Sequence, residues 1–408
     1  MRACLSKARS RLHLLAAACA FLVSACASGP EPQPVASGFS GGGSGGRAVA
    51  PAPEGHRIAP GSPVTLALLV PQTASAEGAA RLGRAIANAA QLGLEDLRNP
   101  NISLRVYNTG GQPQTARAVA EQALREGADL FLGPLFAANT EAVGAVAAAS
   151  DRKVISFSTI TAVAGDPVSL IGYSPEAEAR RVLSYAAAQG RRDVAVFYPG
   201  NDYGEAAVRG AQSVPGVQIT AVGDYERSFK SIEENSRPFA QAARELGATS
   251  VFLPAGGKEL QAVASFVNYH GLDPQRVQYV GLGQWNSRAT LQEPSLQGGW
   301  FPAPDPDAFA RFAGRYRDRF GEEPPLLATL GHTAVQVAGQ LLASAAAEGR
   351  DDPFSAARIV RPQGFRGTLG PLRILPDGTS EHAMAILEVS AGRFVTRDPA
   401  PLAIGAGS

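Results

Sequence analysis

From Val64 to Gly283 the chain alternates between short apolar runs and longer amphipathic stretches, and this alternation limits the fold more than any other feature. "VTLALLV" (64–70) is a continuous apolar run, as expected for a strand covered on both faces. The stretch after it places Leu82, Ile86, Ala89, Gly93 and Leu97 on one helical stripe. Strands are then predicted at 102–110, 128–134 and 153–158, separated by helices at about 113–126 and 140–150. After Tyr173 the pattern restarts, with helices at 175–189, 202–212, 235–247 and 258–271 preceding strands at 193–199, 217–225, 250–256 and 277–283. Such strict alternation predicts an α/β chain with mostly parallel sheets flanked by helices.

Helical stretches at 306–321 and 327–349 follow, and the remainder reads as short strands joined by "PDGT" and "SAG" turns. The folded portion is too long for one core, so two lobes are expected.

The amino terminus reads differently. Arg2, Lys7, Arg9 and Arg11 precede an uncharged stretch from Leu12 to Ala25, and no acid occurs before residue 26. A basic head, a short apolar middle and small residues form an export signal at 1–25. The middle is shorter than the roughly 20 residues needed to span a bilayer. Cys4 and Cys19 fall inside that signal, so Cys26 would be the only cysteine after cleavage and could form no internal disulfide. Val23-Ser24-Ala25-Cys26 looks like a bacterial lipobox, which makes Cys26 the expected lipidation site and the membrane an expected partner. The alternative is a plain signal with a cysteine near the cut. Ala27 in second place suggests the periplasmic face of the outer membrane, with the inner membrane or a soluble periplasmic form as alternatives.

Losing four cations from a net charge of +1 leaves the remainder near −3. That argues against nucleic acid as a partner, since phosphate recognition needs a basic face. Residues 26–61 are dominated by Gly, Pro, Ala and Ser and read as a flexible linker, with an average span of about 33 Å. Within it, 42–46 matches G-x-S-x-G and 41–46 matches G-x-G-x-x-G, but neither follows a strand or opens a helix. His270, His332 and His382 are isolated, with no H-E-x-x-H pattern or cysteine cluster, so no catalytic residue, metal or cofactor is expected.

Taken in order, "VTLALLVP", "FLGPLFAANTEAVGAVA" before "KVISFST", "GRRDVAVFYPGNDYGEAAVRG" and "FRGTLGPLRILPDG" resemble the type I periplasmic-binding-protein fold, in its leucine-binding-like branch. The resemblance covers about 62–396 and implies two lobes joined by three crossings. The first lobe would be 62–176 plus 303–355, the second 177–302 plus 356–398, with 399–408 as a tail. Any ligand would lie in the cleft at the carboxyl ends of the strands. "GYSPEAEARRVLSYAAAQGRRDVAVFYPGNDYG" (172–204) looks closer to the penicillin-binding protein activators, lipoproteins that regulate peptidoglycan synthesis. That likeness implies a peptidoglycan synthase as partner, docked allosterically, with the charged stretch 226–239, including Arg227 and Lys230, as a candidate surface. The alternative is the substrate-binding protein of an ABC importer for branched-chain or related amino acids.

Relatives with this fold hold a ligand carboxylate at helix amino termini. The matching candidates are Ala137, Ala138 and Asn139, with hydroxyls from Ser156, Ser158, Thr159 and Thr161. Asn139 and Thr140 could equally cap a helix. Asp202 could meet a ligand ammonium, and Tyr203 its apolar part. Lys258 and Gln284 stand where such proteins often offer an acid, which weakens the amino-acid reading. Trp285 and Trp300 could stack on a ligand or pack in the core.

Overall fold

The computed structural model describes residues 56–404. Cys26, the signal and linker residues 26–55 lie outside the described residues. The first apolar run forms β1 (Val64–Val70), followed by α1 (Ala79–Leu97), β2 (Ile102–Asn108), α2 (Pro113–Arg125), β3 (Leu130–Leu132), α3 (Ala137–Ala149), β4 (Lys153–Ser156) and β5 (Val168–Leu170). The strands make one parallel sheet in the order β2-β1-β3-β4-β5. Because side chains alternate along a strand, Leu66, Leu68 and Val70 enter one core while Ala67 and Leu69 enter the core on the other face. Burial on both faces is the reason this run carries no polar alternation.

The second unit repeats the plan with α4 (Pro175–Ala188), β6 (Asp193–Pro199), α5 (Asp202–Gln212), β7 (Gln218–Tyr225), α6 (Phe229–Glu245), β8 (Ser250–Phe252), α7 (Gly257–Tyr269), β9 (Gln278–Val280), the short α8 (Arg288–Gln292) and β10 (Trp300–Ala303). Val194 and Val196 face one core, and Ala195 and Phe197 the other. The chain then returns to the first lobe as α9 (Pro306–Phe320), α10 (Thr329–Ala347), α11 (Ala356–Ile359) and a three-stranded antiparallel sheet of β11 (Phe365–Gly367), β12 (Gly370–Ile374) and β13 (Ser380–His382). It finishes with β14 (Ala385–Ser390) and β15 (Arg393–Asp398), antiparallel strands on the edge of the second sheet, whose order is β15-β14-β10-β9-β8-β6-β7.

Three crossings therefore join the sheets, at about 171–174, 304–305 and 383–384. The last lies later than expected. Phe365, Leu372 and Ile374 are buried in the core that holds Leu66 and Leu68, so 365–382 packs with the first lobe and only the strands after it belong to the second. Two further expectations change. The stretch 226–239 is largely helix: Ser228 caps α6 by accepting from the Ser231 N–H, and Ile232, Ser236, Phe239, Ala240 and Ala243 form one buried stripe. The helix thus begins at Phe229, ahead of the predicted 235, and carries Pro238 inside it. Nor is the linker free as far as 61. Ile58 is buried, its N–H donates to the Asp351 carbonyl at 2.7 Å, and His56 bonds Asp129 at 2.6 Å. Asp129 immediately precedes β3, so the chain joins the first lobe at the end of the sheet away from the cleft.

α10 lies directly on α1. A methyl group added to Gly331 would sit 2.2 Å from the Ile86 carbonyl oxygen, and one on Gly339 would sit 2.5 Å from Leu97. These glycines let two helices approach closely, which offsets their poor helix propensity. The stretch Leu326–Ala347 is long and apolar enough to cross a membrane, but two-thirds of it is buried, as in a core helix.

Candidate ligand-binding site

The strand order reverses between β1 and β3 in one sheet and between β6 and β8 in the other. Loops at the carboxyl ends of these strands frame a crevice, where α/β sheets bind ligands. On the first-lobe side the chain turns at Gly133 (φ 83°) and enters α3, whose first turn has no side-chain cap. Ala137 is half-buried and Ala138 exposed, so their backbone N–H groups remain accessible to an anion.

Asn139 is different. It is 1% exposed, shares the buried face of α3 with Val143, and both atoms of its amide are enclosed without a partner. As placed, it cannot touch a solute in the cleft. Ser156 and Ser158 also depart from the expectation. The Ser156 hydroxyl donates to the Pro134 carbonyl, contacts the Thr140 hydroxyl at 2.9 Å and accepts from the Ser158 N–H, while Ser158 accepts from the Ile160 N–H. These buried hydroxyls hold the loop's shape. Thr159 is half-buried, and Thr161 donates to Glu176 Oε1 at 2.9 Å, a hydrogen bond from the first lobe to the helix that opens the second.

On the second-lobe side, Asn201 caps α5 and Asp202 points into solvent at its first turn. Tyr203 lies beside Gln284, which is exposed. Burial, with Glu178 nearby, pushes the Tyr203 phenol up, so it stays neutral. Trp285 is 0% exposed, and its indole N–H donates to the Leu253 carbonyl at 3.1 Å. It is a core residue and not a ligand platform. Trp300 donates to Glu388 and meets Tyr185 edge-on, again within the fold.

The carboxylate expected at Asp202, and not offered by Lys258 or Gln284, stands elsewhere. Glu178, in the first turn of α4, is 7% exposed and accepts the Gly283 N–H at 3.0 Å. Gly283 follows β9 and Tyr203 opens the helix after β6, so Glu178 sits at the cleft-side end of the second sheet. Among the described residues its hydrogen-bond partner is this amide alone. Desolvation, only partly offset by the Gly283 bond, pushes its pKa up to about 8. A side chain on Gly283 would place its Cβ 2.6 Å from Glu178 Oε1, so glycine permits the contact. Glu176 beside it is 8% exposed and is held by Thr161 and by Arg209 at 3.1 Å, leaving Oε2 without a partner. In sequence, "SPEAE" has an ordinary reading as acids that favour a helix amino terminus, which hid these residues.

Two of the isolated histidines are held by neighbours within the fold. His332 bridges Asp96 and Thr368, and His382 lies against Tyr173 with a pKa lowered by burial to about 4. Among the described residues, no group of His, Cys, Asp and Glu could hold a metal ion.

Residues 63–393 match the sequence profile of a family described as periplasmic binding protein. No curated protein matches the chain. Solved structures similar to it include an ABC transporter substrate-binding protein from Sphaerobacter thermophilus, with 16% identity over 84% of this chain and 98% of that one and a TM-score of 0.67. A branched-chain amino acid transporter substrate-binding protein from Streptococcus pneumoniae, in complex with isoleucine, has 15% identity, covers 83% of this chain and 100% of that one, and gives 0.59. A solute-binding protein of an ABC transporter from Rhodopseudomonas palustris, in complex with 3,4-dihydroxybenzoic acid, has 16% identity, covers 84% and 97%, and gives 0.60. With two mostly parallel sheets, three crossings and a profile match over most of its length, the chain belongs to the periplasmic binding protein family.

Proposed function

We propose that the protein is a non-enzymatic solute receptor that captures a small amino acid between its lobes on behalf of an ABC importer. The observation that carries this reading is Glu178, a buried carboxyl without a cationic hydrogen-bond partner at the cleft-side end of the second sheet. A ligand ammonium would supply the missing counter-charge, and the free N–H groups of Ala137 and Ala138 would meet its carboxylate. Similar structures hold isoleucine or a hydroxylated benzoic acid, each a carboxylate on an apolar body. Those relatives are solute receptors, so the importer reading is preferred over peptidoglycan-synthase activation, which rests on the likeness of 172–204 alone. The export signal and Cys26 support a periplasmic, lipid-anchored receptor. The docked segment 56–58 supports it too, since it attaches away from the cleft.

A thermal-shift screen of the twenty amino acids and simple benzoates tests the reading. Binding at a thousandfold excess over Kd stabilises by about 4 kcal/mol. Stabilisation by an amino acid, lost in Glu178→Gln, is expected. Stabilisation only by ligands without an amino group would remove the role of Glu178. No stabilisation, together with retention of a peptidoglycan synthase on the immobilised protein, would restore the activator reading.

A further inference from the structure

A cavity of about 780 Å³ lies outside the cleft. It lies between α4, the end of α5, the third crossing and the residues after β15. Its volume falls within the small-molecule range of about 300–1,000 Å³. α4 presents Ala177, Arg180, Arg181 and Ser184 to it. These recur at helical spacing, and Glu178 lies about a quarter turn away at 3.6 residues per turn. The two sites therefore use different faces of one helix.

The apolar wall comes from Val214, Pro215, Met384, Pro401 and Ile404. Most charges in the wall are already matched. Arg181 pairs with Asp398 at 2.5 Å and donates to the Met384 carbonyl, and Glu381 pairs with Arg373. His382 is held neutral by burial. Asp398 and Glu381 are thus neutralised by these arginines. Arg180 is half-buried and has no ion pair or hydrogen bond to a described residue. Its guanidinium is thus an unmatched charged donor available to an anion that enters the cavity.

We infer that this cavity is a second ligand site, for an amphipathic monoanion such as a medium-chain carboxylate, with the acid on Arg180 and the chain along Val214, Met384 and Ile404. Arg180 presents a planar donor fork suited to a carboxylate. One wall is the third crossing, Glu381–Met384, and His382 in it packs on Tyr173 of the first crossing at 4.5 Å between ring centres. An occupant thus touches the segment joining the lobes and will favour the lobe angle that best preserves the cavity.

Calorimetric titration of the full chain with decanoate, and separately with decanol, tests this. Decanoate is expected to bind wild type with one site, and decanol at least tenfold more weakly. Arg180→Gln should weaken decanoate at least tenfold and bring the two ligands level. Val214→Trp, which fills the apolar part, should abolish both while leaving any amino-acid binding in the cleft within twofold. Circular dichroism checks that each variant is folded; should Arg180→Gln fail to fold, Arg180→Lys replaces it and should keep part of the preference for decanoate. No decanoate binding to wild type, equal binding of decanoate and decanol there, or an unchanged affinity in Arg180→Gln would each overturn the inference. So would strict competition, with an amino acid and decanoate never bound together at any concentration, which would make the two sites one.

Discussion

Replacing Glu178 with glutamine isolates the energetic consequence of its burial. In the native state this acid titrates near 8, against 4.5 when exposed. Below pH 4.5 it is neutral in both states and has no effect on folding. Above 4.5 the unfolded chain ionises it and gains free energy that the folded protein cannot match until about pH 8. Stability is therefore lost progressively across that window and levels off above it. At about 1.36 kcal/mol per pH unit the full loss is on the order of 5 kcal/mol. Glutamine has the same shape, can still accept the Gly283 N–H, and does not titrate. Other ionisable groups cancel when variant and parent are compared at each pH. The difference in Tm, variant minus wild type, should thus grow between pH 5 and 8, reaching on the order of 10 °C at about 2 °C per kcal/mol. Paired thermal melts by circular dichroism every half pH unit measure it. Parallel curves, with a constant difference across the range, would refute the claim that Glu178 is buried without a counter-charge.

Ala137→Pro removes one candidate donor at the first position of α3, where proline is tolerated because Phe136 before it is already extended (φ −93°, ψ 142°). Ligand affinity should fall about tenfold with Tm unchanged, as read by calorimetry and melting. Trp285→Leu should cost about 3 kcal/mol in denaturant unfolding, because it empties core volume and removes the indole hydrogen bond to the Leu253 carbonyl, while ligand affinity stays within twofold. A ligand defect without destabilisation would return Trp285 to the binding site. Gly331→Ala forces a methyl against the Ile86 carbonyl and should destabilise by about 3 kcal/mol, the opposite of the usual helix preference for alanine.

The parts of the fold that the sequence conveyed were those set by local periodicity. β1 and β6 fall at the predicted residues because runs buried on both faces need no partner to be recognised. β5 was missed: it is three residues long, follows Asp166-Pro167, and is defined by pairing with β4 and not by composition. The sheet of 365–382 was assigned to the wrong lobe because its alternating pattern specifies a buried face without specifying which core receives it. The site was legible to the same degree. The start of α3 is only partly legible: periodicity places it at about 140 with Asn139 or Thr140 as a possible cap, whereas it begins at Ala137 without a side-chain cap. Whether Asn139, Ser156 or Ser158 faces the cleft or the loop's interior depends on neighbours distant in sequence. Glu178 acquires meaning only when β9 brings the Gly283 amide to it across 105 residues.

Proton release on ligand capture tests the central claim most directly. If an amino acid's ammonium ionises Glu178 as it binds, titrations in buffers of differing protonation enthalpy should show close to one proton released per ligand at pH 6. Affinity should then rise about fiftyfold from pH 6 to pH 8. An affinity and proton count that do not change over that range would contradict the assignment of Glu178 as the ligand's counter-charge.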